Sequence, residues 1–195
     1  MARRIRTHTN PFSFPIPINR ECWTSMLDES KPLYVDLGAG KGDFLLDSAK
    51  AHPENVYLGI EVRVVQNEEV QQQIEAEKLE NCWCVQGNAT ISMKTMFKDK
   101  EVCAFFIQFP DPWLKNRNKK RRMITPVILD GLYDTLKDDG IIYLITDVQE
   151  VFDDFVNVLS AKFKQIEYKY IEEQSHWEKW HVKKGTTLYR ACFVK

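Results

Sequence analysis

Nothing in the 195-residue sequence approaches the roughly 20 consecutive apolar residues of a membrane-spanning helix, so no membrane role is expected. The N-terminal stretch MARRIRTHTNPFSFPIPIN is basic, but Pro11, Pro15 and Pro17 break its apolar residues and leave no signal-peptide core. The five cysteines are poorly spaced for a metal. Cys22, Cys82, Cys84, Cys103 and Cys192 form no Cys-x-x-Cys and no pair with histidine at zinc spacing. The expectation is therefore no metal site, and reduced, buried thiols in a cytoplasmic protein. A surplus of one charge is also missing: 27 Lys and Arg against 28 Asp and Glu leave a net charge of −1, so bulk charge names no partner. Internal repeats, low-complexity segments and interdomain linkers are absent too. A chain of this length can bury a core without disulfide or metal staples. The division predicted is a basic N-terminal arm over 1–30 and a single domain over 31–195.

What is present is alternation. Short apolar runs at Leu33–Leu37, Val56–Ile60, Cys82–Gln86, Val102–Gln108 and Ile141–Thr146 alternate with helical patterns, which predicts a parallel sheet covered by helices. The run VCAFFIQF is almost continuously apolar, as a central strand buried on both faces should be. Thr125-Pro126 reads as a helix start with Ile128, Leu129, Leu132 and Leu136 on one face, ending at Asp138-Asp139-Gly140 with glycine as the stop. Val148, Val151, Phe152, Phe155 and Leu159 form a second stripe. In the tail, Gln165–Glu172 and Thr187–Val194 read as antiparallel strands, with EEQSHWEKWHVKKG as the loop between them.

The segment LYVDLGAGKGDF sets Gly38, Gly40 and Gly42 between the first strand and first helix, where a backbone can approach a ligand closely. It lacks the Lys-Ser/Thr of a P-loop, and Asp43 at the helix start would repel a pyrophosphate. A ligand without phosphate at that point fits better. Glu61 closes the second strand, where a carboxylate can accept both ribose hydroxyls of an adenosine, in nicotinamide enzymes and methyltransferases alike. Asn88 closes the third, where its amide could meet an adenine edge or simply cap a turn.

The fourth strand delivers Pro110-Asp111-Pro112-Trp113 to the same edge, and Lys or Arg then fills six of the eight positions 115–122. Ligands of open α/β sheets bind outside the carboxyl ends of the strands. Two prolines fix the backbone around Asp111, Trp113 offers a face for a base, and the cations suit a polyanion.

The block FPDPWLKNRNKKRR resembles the signature of the bacterial tRNA (guanine-N7-)-methyltransferase family. The likeness runs from about Leu33 to Arg190 and includes Glu61 in GIE, Thr146-Asp147, and Ser175-x-x-Glu178 before Gly185 and Leu188-Tyr189-Arg190. It implies a Rossmann-like class I methyltransferase of α/β class, with a mostly parallel sheet, helices on both faces and an antiparallel C-terminal strand. It implies methyl transfer from S-adenosyl-L-methionine (AdoMet) to N7 of guanosine 46 in the tRNA variable loop. Carried over by position, Asp36, Gly38, Glu61, Asn88 and Asp111 would lie on the cofactor side, with Asp111 also catalytic. Lys115, Asp147, Ser175, His176, Trp177 and Glu178 would meet the substrate, and Arg117, Lys119, Lys120, Arg121 and Arg122 would grip RNA. Arg3, Arg4 and Arg6 could extend that patch. Relatives usually carry Asp at the Asn88 position, His at Asn118 and Thr at Ser175. Trp180-His181 falls where they often have a basic residue or phenylalanine, so no role is carried over there.

Rival readings remain at this point. Thr146 to Gln149 also reads as a helix capping box, and Glu178 as a solvated loop charge. A small-molecule methyltransferase of the same fold would have little use for the cationic block. A non-enzymatic RNA-binding module would not need Gly38, Glu61 and Asp111, and the glycine spacing disfavours a nicotinamide oxidoreductase. Monomer and homodimer are both open.

Overall fold

The computed structural model describes residues 10–195, so Arg3, Arg4 and Arg6 lie outside the described residues. Five strands alternate with helices as the apolar runs predict: β1 (Leu33–Leu37), β2 (Val56–Glu61), β3 (Cys82–Gln86), β4 (Val102–Gln108) and β5 (Leu136–Thr146). They pair in parallel, while β7 (Tyr189–Val194) runs antiparallel to both β5 and the short β6 (Lys164–Ile166). Among the described residues the seven strands form one sheet in the order β3-β2-β1-β4-β5-β7-β6.

Helices cover both faces. On one face the apolar stripes of α4 (Ala89–Met96), α5 (Pro126–Thr135) and α6 (Gln149–Leu159) bury Met93, Leu132 and Phe155 against β4 and β5. The short α1 (Glu21–Thr24) adds Trp23, whose indole N–H donates to the Met96 carbonyl at 3.2 Å. Ile18 and Leu27 join the same core, so part of the 10–30 segment packs into the domain. On the opposite face α2 (Asp43–Ala51) and α3 (Val64–Ala76) bury Leu45, Leu46, Val70 and Ile74 over β2 and β3. Beside them an aromatic row crosses four strands: Tyr57 to Tyr34 at 5.3 Å, Tyr34 to Phe106 at 6.4 Å and Phe106 to Tyr143 at 5.0 Å. No helix among the described residues is long and apolar enough to cross a membrane.

Four expectations are corrected. The tail strand stops at Ile166, and the expected loop holds a helix, α7 (His176–Lys184). Ser175 caps it by accepting from the Glu178 N–H at 3.4 Å, and Gly185 ends it at φ +63°. The α5 helix ends at Thr135 rather than at Gly140, because Leu136 already pairs with Val102 as strand. A register shift then sets Ile141 opposite Ala104, and the polar Lys-Asp-Asp-Gly stretch is absorbed there. The residue before α6 is Val148, and Thr146 only accepts a bond from its amide at 3.2 Å, so no capping box forms. Finally, Cys22 is exposed and Cys103 half-buried; Cys82, Cys84 and Cys192 are buried as expected.

The α4–α5 contact depends on Gly131, where a Cβ would lie 2.5 Å from Met93 Cβ. Helix propensity alone favours alanine over glycine by about 1 kcal/mol. Overpacking should reverse that sign, so Gly131→Ala is expected to cost about 1–3 kcal/mol in urea unfolding. A stabilised variant would show that the two helices are free to separate.

Candidate active site

The chain winds outward from β1 in one direction through β2 and β3 and in the other from β4, so a crevice opens at the carboxyl ends of β1 and β4. The loop that floors it holds Gly38, Gly40 and Gly42 at φ +91°, +62° and +79°; at Gly42 a Cβ would meet Val70 at 2.8 Å. Glu61, 2% exposed at the end of β2, fixes this loop by accepting from the Gly40 N–H at 2.8 Å. It also accepts from the Arg63 backbone at 2.9 Å and from the Arg63 Nε and Nη2 at 2.9 and 3.0 Å. The carboxylate assigned to ribose is therefore already held by Arg63, which also lines the crevice. The sequence reading missed Arg63. The available signal was that a carboxylate buried at a strand end needs a cation nearby, and one stands two residues on.

Asp36, 3% exposed on β1, leaves Oδ1 buried with no hydrogen-bond partner. Burial pushes its carboxyl up to about 8, and the Glu61 carboxylate adds to the effect. Gln108, ending the neighbouring strand β4, likewise has a buried Nε2 with no hydrogen-bond partner. Both line a cleft of about 250 Å³ with Gly38, Arg63, Asp111, Ser175, His176 and Trp177. A second cavity of about 80 Å³ shares Gly38 and Asp111 with it and is lined further by Glu61, Asn88, Trp113 and Met123. The Asn88 amide is committed to structure: Oδ1 accepts from the Thr90 N–H at 3.0 Å and Nδ2 donates to the Pro11 carbonyl at 3.1 Å.

Pro110-Asp111-Pro112 is bracketed by two non-glycine residues in the left-handed region, Phe109 at φ +48° and Trp113 at φ +40°. Such conformations cost about 1–3 kcal/mol each and persist where surroundings over-determine them. Here the Phe109 N–H donates to the Ile145 carbonyl at 2.8 Å, and the Arg121 guanidinium lies over the Trp113 ring at 5.1 Å. One face of Trp113 is thus already occupied.

The cationic block is divided by direction. Residues Asn116–Arg121 form a 3₁₀ turn that leaves Lys115, Arg117 and Lys120 exposed. Arg122 points inward and is 5% exposed, which corrects its expected place on an RNA-facing surface. Its Nε donates to the Pro112 carbonyl at 2.8 Å, and its guanidinium pairs with Asp154 and with Glu150 at 2.8 Å. Lys119 also meets Glu150, at 2.6 Å.

Of the expected substrate residues, Ser175, His176 and Trp177 reach the cleft, while Lys115, Asp147 and Glu178 do not line it. Buried Glu178 accepts from Arg190 Nη2 at 2.9 Å, so it is not a solvated loop charge. Asp147 Oδ2 lies 3.4 Å from His181 Nε2. Among the described residues no group of three His, Cys, Asp or Glu side chains is placed to hold a metal.

The neutral, buried state of Asp36 has a measurable consequence. Folded, the carboxyl keeps its proton up to about pH 8, whereas unfolded it loses it near pH ~4. Between those values the folded chain binds the extra proton, so this group makes the protein less stable as pH rises. Asp36→Asn, which cannot ionise, should therefore raise the melting temperature by more at pH 8 than at pH 5. A difference that stays constant across that range in thermal melts would refute the assignment.

Comparison with known proteins agrees with this geometry. A family model described as "Putative methyltransferase" matches residues 30–191. The tRNA (guanine-N(7)-)-methyltransferase of Thermosynechococcus vestitus is 32% identical over 100% of this chain and 96% of its own length. That of Microcystis aeruginosa is 31% identical over 97% of each. Among solved structures, the aminoglycoside resistance methyltransferase NpmB1 shares the fold, with a TM-score of 0.61 and 17% identity over 91% of this chain and 94% of that one. A sheet wound around the β1–β4 crevice, a glycine loop beneath it and Asp111 at its edge thus come with end-to-end sequence likeness, and the chain belongs to the tRNA (guanine-N(7)-)-methyltransferase family.

Proposed function

We propose that this protein transfers the methyl group of AdoMet to N7 of guanosine 46 in the tRNA variable loop, forming 7-methylguanosine, in the cytoplasm. The observation that carries this reading is one cleft that gathers Asp36, Gly38 and Asp111 from the sheet edge with Ser175, His176 and Trp177 from the start of α7. Residues that the resemblance assigns to the cofactor side and to the substrate side line the same cleft.

The residues present fit AdoMet. The unpartnered Oδ1 of Asp36 suits the ammonium end of an amino acid, the glycine loop admits a close approach, and the Glu61 carboxylate at the end of β2 suits ribose hydroxyls. Arg63 would have to share or yield its grip on Glu61 as the ribose hydroxyls arrive. Bound there, AdoMet supplies an electrophilic methyl group carried on a sulfonium.

Guanine N7 is an unprotonated lone pair, so its attack removes no proton and needs no general base. As the new N–C bond forms and the S–C bond breaks, positive charge passes to the guanine. Asp111 then acts as an orienter and electrostatic partner: its carboxylate can accept from the N1 and N2 edge of the base and offset the arriving charge. Trp177 at the cleft and Trp113 at the smaller cavity offer apolar surfaces for an unstacked base.

Incubation with labelled AdoMet and unmodified tRNA, followed by nucleoside mass spectrometry, tests the reading. Label in 7-methylguanosine is expected; label in another nucleoside keeps the class and rejects the position. Label only in a small molecule, uncompeted by RNA, favours the small-molecule alternative. Asp111→Asn should cut turnover by about a hundredfold or more while AdoMet still binds in calorimetry, and near-parental turnover would sink its role.

The cations make a separate prediction. If about four of them meet phosphates, log K for tRNA should fall with log salt at a slope of roughly −3 to −4. Neutralising the exposed Lys115, Arg117 and Lys120 to Gln should weaken binding and flatten the slope by about 2 to 3. Arg122→Gln should instead lower the unfolding midpoint, since it strips a buried tie. Equal effects on the salt slope from both variants would overturn that division.

A further inference from the structure

His181 carries no role in the reading so far, and its surroundings are unusual for a helix residue near the chain's end. It is 4% exposed. Its ring lies flat on Phe109, with centroids 5.3 Å apart and planes inclined by only 2°. Its Nε2 is 3.4 Å from Asp147 Oδ2 just past β5, and Trp180 meets it edge-on at 4.7 Å. Trp177, one turn earlier on the same face of α7, lies 6.1 Å away.

We propose that His181 is a positioning residue that sets the width of the reaction cleft. Three segments meet at this one imidazole: the end of β4 through Phe109, the end of β5 through Asp147, and α7 itself. Phe109 is followed directly by Pro110-Asp111, so the stack holds the wall that carries the carboxylate. Ser175, His176 and Trp177, at the other end of the same two-and-a-half-turn helix, form the facing wall. A rigid helix pinned at His181 transmits its seat on Phe109 to those residues. The stack needs a flat ring and the Asp147 contact needs a ring nitrogen, and histidine supplies both. Other contacts of α7 fix further points along it: Glu178 to Arg190 at 2.9 Å, Lys179 to Asp47 at 2.8 Å, and His176 Nδ1, 3.9 Å from Asp43 Oδ1 at the start of α2.

The kinetic consequence rests on the function proposed above; the structural consequence does not. The experiment compares the full chain with His181→Gln, His181→Phe and a control at the exposed Lys183, Lys183→Gln. His181→Gln loses the flat ring, and His181→Phe keeps the ring but loses the Asp147 contact. In hydrogen–deuterium exchange, the amides of 109, 111, 113 and 175–177 should exchange several-fold faster in His181→Gln, with β1 and β2 unchanged. With tRNA, kcat should fall about ten- to a hundredfold, as a displaced reacting group implies, while AdoMet affinity measured by calorimetry stays within about twofold. His181→Phe should fall between parent and His181→Gln, and Lys183→Gln should match the parent. Unchanged exchange in both segments overturns the proposal. So does exchange that rises throughout the protein together with lost AdoMet affinity, which marks a purely structural residue. A parent protein that methylates no tRNA overturns the proposed function, and the exchange comparison still decides the role of His181.

Discussion

A carboxylate buried at the end of a strand must be compensated, and the way Glu61 is compensated organises the site. Its oxygens collect the Gly40 amide, the Arg63 amide and the Arg63 guanidinium, so one buried charge ties the loop after β1 to the entry of α3. That loop can then hold three glycines in left-handed conformations without collapsing into the crevice. The same compensation leaves nothing for Asp36, one strand away. Burial and the Glu61 carboxylate push its carboxyl up to about 8, and its Oδ1 has no hydrogen-bond partner. The crevice thus contains one carboxyl satisfied by the protein and one, Asp36, with a buried oxygen that no protein group meets.

A similar split governs the cationic block. Six positive residues in eight positions look like one RNA-binding surface, yet three of them are engaged by the protein itself, Lys119 through Glu150. Arg122 braces the Pro112 carbonyl against α6, and Arg121 covers one face of Trp113. Burial of a guanidinium is tolerable only because a carbonyl and two carboxylates meet it. The block therefore shapes the Asp111 loop from one end and leaves Lys115, Arg117 and Lys120 to solvent at the other.

Much of this was legible in the sequence because β-strands of a parallel sheet are written as continuous apolar runs; all five parallel strands were found, and Asp36, Gly38, Glu61 and Asp111 line cavities near their ends. The misses share a cause. Helix α7 has no apolar stripe: its buried positions are Glu178 and His181, and tertiary contacts plus a Ser175 cap make it helical. The start of β5 is hidden because Lys-Asp-Asp-Gly reads as a helix end, and only its partner Val102 and the register shift reveal it as strand. Residue counts also carry no direction, so Arg122 could not be told from its exposed neighbours. Local pattern reports what a segment buries by itself, and these elements are defined by what meets them.

The same reasoning explains why so much structure converges on five residues. Phe109 and Trp113 both occupy left-handed conformations that side chains disfavour, and each is held from outside: Phe109 by the Ile145 carbonyl and the His181 ring, Trp113 by Arg121, and Pro112 between them by Arg122. Supports from β5, α7 and α6 meet on one short loop. A reaction that required proton transfer could tolerate a mobile carboxylate that samples its base and acid positions. Attack by a free lone pair at N7 offers no such step to accelerate, so placement and fixed charge are the only contributions left to the protein. On the role proposed for Asp111, strain in the backbone around it is the cost of holding that carboxylate still.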